Sequence, residues 1–204
     1  MTAELLIAFI AFAFVTSVTP GPNNMMLLAS GVNFGVRRSV PHMLGISLGF
    51  MILVIAVGLG LGQLFELYPA LYSLLRYAGG AYLLYLAWKI AGSGAPDTSG
   101  RAHGKPFTFI QAAAFQWVNP KAWIMAIGAI TTYTPQDGFL VNVLLIAALF
   151  AAVNCPSVGL WTVAGSLLRR WLDEPRVLRA FNIGMALLLV ASLYPILIDV
   201  KGSL

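Results

Sequence analysis

Charge is what this 204-residue chain has least of: Asp, Glu, Lys and Arg make up 9% of it, where an ordinary soluble domain carries about 25%. So few charges cannot cover a water-facing surface. With 59% apolar residues and a mean hydropathy of +0.86, the chain has to be solvated by lipid. Cysteine occurs once, at Cys155, and the two histidines, His42 and His103, stand far apart in sequence. No disulfide framework and no zinc or haem ligand set follows from them. A Gly-rich phosphate loop ending in Lys-Ser/Thr is missing, as are Gly-x-Ser-x-Gly and His-Glu-x-x-His, which excludes ATP as an energy source within the chain and disfavours hydrolysis. The expectation is a protein that is not an enzyme, with no catalytic residues, no metal and no cofactor. A pI of 9.6 elsewhere suggests nucleic acid, but membrane topology accounts for the basic residues here, and no nucleic-acid partner is expected.

What the chain has in quantity is apolar runs. A bilayer core about 30 Å thick takes roughly 20 helical residues, and six runs near that length occupy 5–32, 40–62, 70–90, 107–131, 139–168 and 178–198. The predicted fold class is an all-α integral membrane protein with six transmembrane helices. The opening Met-Thr-Ala-Glu lacks a basic region and the run after it is too long for a signal peptide, so it is read as the first span. Glycines 45, 49, 58, 60 and 62 suit close helix packing, and the Gly-rich second and third spans offer faces for a homodimer.

Six spans leave both ends on one side. Nine of the 12 basic residues, Arg37, Arg38, Lys89, Arg101, Lys105, Arg169, Arg170, Arg176 and Arg179, fall in the loops on the other. The first side carries Glu4, Glu66, Asp137 and Asp199 with Lys201. The positive-inside bias places the basic loops in the cytoplasm and both termini in the periplasm.

The Gly-, Ser- and Pro-rich stretch 92–106 reads as a linker between a three-helix half at 1–91 and another at 107–204. Thr19-Pro20 recurs as Asn119-Pro120, and Leu75-Arg76 as Leu178-Arg179. The loop with Arg37-Arg38 corresponds to one with Asp137, and the loop with Glu66 to one with Arg169-Arg170. Equivalent loops then lie on opposite faces, which predicts two inverted repeats with a site at their interface near the midplane.

The densest polar cluster inside a span is Thr19, Pro20, Gly21, Pro22, Asn23 and Asn24. Two prolines around a glycine break the first span. Carbonyls near Thr16 and Val18 lose their partners, and Pro22 opens a half-helix whose free amides suit a carboxylate. The fourth span breaks at the related place, Gln116 to Lys121, with Asn119 and Pro120. Lys121 costs about 2.5 to 3.5 kcal/mol to bury. It either faces a substrate carboxylate, holds the broken end of the first span, or snorkels along its helix. Asn154, beside Pro156 in the fifth span, is a further candidate.

Thr-Pro-Gly-Pro-Asn-Asn at 19–24, Ala-Ser-Gly-Val-Asn-Phe-Gly-Val-Arg-Arg at 29–38, Gly-Gly-Ala-Tyr-Leu-Leu-Tyr-Leu-Ala-Trp at 79–88 and Asn-Pro-Lys-Ala-Trp at 119–123 together resemble the lysine exporter (LysE) superfamily. Within it the chain is most similar to the homoserine and threonine exporter (RhtB) branch. The resemblance implies a bacterial inner-membrane exporter of amino acids or close derivatives, with six spans and coupling to the proton motive force. It also implies that Pro20, Gly21, Pro22, Asn119, Pro120 and Lys121 form the centre of the path. With no carboxylate in any span, the groups able to exchange a proton are Lys121 first and His42 second. The competing functions are transport of another small solute or ion, and a non-transporting membrane scaffold.

Overall fold

The computed structural model describes residues 1–93, 104–172 and 174–194, and every regular element among them is helical. In chain order these are α1 (Ala3–Val18), α2 (Pro22–Ala56), a π-turn (Val57–Leu61), α3 (Gly62–Leu67), α4 (Pro69–Ala91), α5 (Phe109–Gln116), α6 (Pro120–Tyr133), α7 (Phe139–Leu168), a 3-10 turn (Arg169–Trp171) and α8 (Pro175–Ala191). Prolines open α2, α4, α6 and α8 at their first turn, where a missing amide hydrogen costs nothing.

The expected loop between the first two spans is a single residue. Gly35 has φ 77° inside α2, and the Ser30 and Ser39 hydroxyls on either side of it lie 2.8 Å apart. Nine residues of straight helix would separate them by about 13 Å, so the chain doubles back at Gly35 into two arms, 22–34 and 36–56. Asn33, Arg37 and Arg38 are compatible with helix, which is why the loop predicted around them shrinks to the glycine. The second run, expected to end at 62, continues through the π-turn, where Gly60 has φ 97°, to Leu67.

Contacts along α7 fix the directions of the legs. Phe150 stacks edge-on with Phe9, Asn154 bonds Ser17, Trp161 bonds Val18, and Gly165 meets Leu28. Thus α1 and the first arm of α2 run parallel to α7. On the second arm Met43 meets Gly159, Ser47 bonds Asn154 and Gly58 meets Val143, an antiparallel course. Gly45 against Phe109 and Gly49 against Ala113 set α5 parallel to that arm. Gly79 against Val118 with Tyr82 bonded to Gln111, and Gly80 near Leu193 with Ser93 bonded to Asn182, set α4 antiparallel to both α5 and α8. The described chain therefore alternates through six helical legs.

Glycine makes the tightest crossing possible. A Cβ on Gly31 would collide with the Thr162 carbonyl, and one on Gly165 with that of Leu28; the first arm of α2 and α7 interlock through these two positions.

The bundle is apolar on its outer surface, and its largely apolar core also holds buried polar side chains. Ile124 is 73% exposed, and Ile7, Val141, Leu187 and Trp88 are exposed with it, whereas Asn24, Gln116, Asn119, Asn154, Asn182 and His42 are buried. Two helical stretches, Pro22–Leu61, which reverses at Gly35, and Phe139–Trp171, are long and apolar enough by length and composition to cross a membrane. Arg101, His103, Asp199, Lys201 and the end of the sixth predicted span lie outside the described residues, as does most of the predicted linker.

Candidate functional site

Both predicted breaks are present, and they meet. Leg one is interrupted at 19–21, between α1 and α2; leg four is interrupted at 117–119, between α5 and α6. Asn23, just past the first break, and Gln116, just before the second, exchange amide hydrogen bonds: Asn23 Nδ2 donates to Gln116 Oε1 at 2.8 Å and Gln116 Nε2 donates to Asn23 Oδ1 at 3.1 Å. Gln116 is fixed further by donating to the Ala112 carbonyl at 2.9 Å.

Breaking α1 frees its last carbonyls, and each finds a side-chain donor. The Thr19 hydroxyl takes the Thr16 carbonyl at 3.0 Å, Asn24 Nδ2 takes those of Ser17 and Thr19 at 2.9 and 2.7 Å, and Trp161 Nε1 takes that of Val18 at 3.0 Å. Lys121 Nζ completes the set, donating to the Thr19 carbonyl, the Thr19 hydroxyl and the Pro20 carbonyl at 2.8, 2.9 and 3.3 Å. Of the three roles considered for Lys121, the one observed is holding the broken end of the first leg. Its positive charge sits where the dipole of α1 is negative.

The two half-helix starts differ. At α6, Asn119 Oδ1 accepts the Lys121 amide at 3.2 Å and caps the end. At α2 the capping position is Gly21, with no side-chain cap, and the first intrahelical bond is Met25 to the Gly21 carbonyl. The Asn23 and Asn24 amides are left pointing out of the helix end. The absence of a side chain at Gly21 is required here, because a Cβ would lie 2.9 Å from Lys121 Cδ.

Beside this junction lies a recess of about 330 Å³, lined among others by Ser17, Gly21, Asn23, Asn24, Gln116, Asn119, Lys121 and Asn154. Asn154 joins through its side chain: its Nδ2 donates to the Ser17 hydroxyl and its Oδ1 accepts from the Ser47 hydroxyl, both at 3.0 Å. Asn24 Oδ1 is buried with no partner, an acceptor at the recess awaiting a donor. Apolar walls come from Phe50, Met125 and Val158.

Of the predicted site residues, Gly21, Asn23, Asn24, Gln116, Asn119, Lys121 and Asn154 line this recess, while Thr19, Pro20, Pro22 and Pro120 shape the helix ends around it. His42 is elsewhere. It is buried on the second arm of α2 with its ring 5.1 Å from that of Phe107, and neither nitrogen has a partner. The sequence reading missed Ser17 and Ser47; a hydroxyl one helical turn before a chain break was the available signal for Ser17. The tryptophan at the break is Trp161.

The LysE type translocator family matches residues 14–192 of the chain. The chain belongs to the LysE family. LysE membership makes it a membrane translocator, and the apolar outer surface of the bundle fits. It is similar to a protein named cysteine/O-acetylserine efflux protein in Escherichia coli (strain K12), 37% identical over 192 residues, covering 93% of this chain and 96% of the relative. A protein of the same name in Shigella sonnei (strain Ss046) matches equally, and one in E. coli O139:H28 (strain E24377A / ETEC) is 36% identical over the same coverage. No solved structure matches the chain.

Proposed function

We propose that this LysE-family protein is a secondary exporter of small amino acids or their O-acyl derivatives across the inner membrane, built as two inverted three-helix repeats of six spans. The observation that carries the reading is the recess at the two breaks. It offers open amides at the start of α2, a buried unpartnered acceptor on Asn24, and no Asp or Glu among its lining residues. A zwitterion matches that inventory, with its carboxylate on the Asn23 and Asn24 amides and its ammonium on Asn24 Oδ1. The names of the relatives supply the first substrates to test, cysteine and O-acetylserine.

Residues 1–91 and 107–204 form the two repeats. Each opens with a leg broken before a proline, Pro22 and Pro120, and the broken legs run in opposite directions. Rocking one repeat against the other exposes the recess alternately. The ends carrying Arg37, Arg38, Lys105, Arg169 and Arg170 face the cytoplasm and both termini face the periplasm, by the excess of basic residues. Export is coupled to protons through Lys121. Its ammonium has three donors and three oxygens to satisfy, and a neutral amine has one donor fewer, so loss of the proton loosens the grip of α6 on the end of α1. His42 is the second candidate for the coupling.

The test is accumulation of labelled O-acetylserine, cysteine and the other amino acids in inside-out vesicles. Uptake that needs an imposed pH gradient is the expected result. If no member of the panel accumulates above vesicles lacking the protein, the export assignment falls.

A further inference from the structure

A second polar cluster lies at the Gly35 end of the bundle, away from the central recess. Asn33 and Asn182 exchange amide bonds of 2.7 and 2.9 Å, and Asn182 also donates to the Ser93 carbonyl at 2.7 Å. These bonds fix one wall of a recess of about 260 Å³ whose described lining includes Lys89, Lys105, Ser30 and Asn33, and no Asp or Glu. Lys89 is half-buried. Its ammonium sits 4.7 Å from the centroid of Phe107 and touches Gln111 Oε1 only at 3.5 Å, so it has donors to spare. The Asn33 and Asn182 amides and the Ser30 hydroxyl spend their hydrogens within the wall, on Ala29, on each other, on Ser93 and on Ser39, so the donors this hollow offers a carboxylate are the two lysine ammoniums that line it.

The position of this recess says what it serves. Asn23, Met26, Ser30 and Asn33 follow one another at intervals of three and four residues on the first arm of α2, so one helix face joins both recesses over about 15 Å. Between them the buried side chains of Met26 and Phe115 close the way within one apolar cluster. We propose that the Lys89–Lys105 recess is a loading site that holds the carboxylate of the solute before the Met26–Phe115 seal opens inward. This rests on the export reading and on the orientation that puts this end in the cytoplasm. The polar face leads toward the central recess rather than out to lipid, which favours a small solute over a lipid headgroup.

Two measurements test it. In flux assays the Lys89→Gln/Lys105→Gln double variant should raise the half-saturating solute concentration about tenfold, the loss of one or two charged hydrogen bonds, and leave the maximal rate within about twofold, since the central recess is intact. Lys105→Gln alone, at an exposed position, guards against misfolding and should give part of the same rise. Separately, acetate should slow acylation of Lys89 and Lys105, but not of Lys201, in full-length protein held in phosphatidylcholine vesicles, and acetamide should not. The second measurement needs no transport, so it stands even if the export reading fails. The proposal is overturned by a fall in maximal rate with unchanged half-saturation, or by equal effects of acetate and acetamide. It is also overturned if phosphatidylglycerol vesicles protect both lysines without acetate, which would make a lipid phosphate the occupant.

Discussion

Asn23 and Gln116 hold the two broken legs together through a reciprocal pair of amide bonds, 2.8 and 3.1 Å long. Replacing either by Leu strands the other's buried amide, at a cost of about 1–3 kcal/mol, whereas replacing both removes the need. Thermal denaturation of the purified protein should show the double variant less destabilised than the sum of the singles, with flux lost in all three. Strict additivity would mean the pair is not a joint.

Lys121→Met should leave the helices in place and lower flux by roughly ten- to a hundredfold, the equivalent of losing a charge-assisted contact of about 1.5–3 kcal/mol. Circular dichroism checks the fold and vesicle uptake the rate. A scaffold without transport would show the first result and have no second to lose.

Gly21→Ala isolates the same contact without removing the lysine. The new methyl would sit 2.9 Å from Lys121 Cδ and 3.2 Å from Nζ, and the flexible side chain is what must yield. Flux should fall nearly as far as in Lys121→Met while stability changes by about 1 kcal/mol or less. Combining the two substitutions should add little further loss of flux, because both release the end of α1 from α6.

Gly31→Ala and Gly165→Ala strike backbone rather than side chain, at the carbonyls of Thr162 and Leu28. Each should cost about 2–4 kcal/mol or prevent assembly. Gly184→Ala, with open space around it, should be neutral or stabilise by up to about 1 kcal/mol. Melting temperatures of the three variants make the comparison; equal values would dismiss the interlock of α2 with α7.

Gly35→Ala probes the reversal. Nothing lies within 4 Å of the added carbon, so the penalty is conformational, about 1–3 kcal/mol for a side chain at φ 77°, ψ 171°, a region essentially reserved for glycine. A shift in melting temperature of more than a few degrees beyond that would show the site is packed after all.

Much of this architecture is legible in residue order. The fifth run was placed at 139–168, the bounds of α7, because uninterrupted apolar sequence leaves a helix nowhere else to end. The breaks at Pro22 and Pro120 were also readable, since a missing amide and a restricted preceding residue act locally. The one-residue turn at Gly35 was not, because a positive φ is chosen only when the two arms pack. Asn154 gave a weak signal beside Pro156, and Ser47 and Trp161 gave less. α7 is apolar on nearly every side, so nothing in its pattern tells which face turns inward.

Composition and order by themselves determined that the chain is helical, lipid-solvated and interrupted twice by proline, because solvation and backbone sterics need no distant partner. Only the tertiary structure decided that the interruptions meet, that Lys121 binds the carbonyls of Thr19 and Pro20, and that Trp161 and Asn154 close the remaining gaps. Those are contacts between legs a hundred or more residues apart. They are set by glycine-allowed helix approach and by the need of each exposed carbonyl for a donor where no water or lipid can supply one.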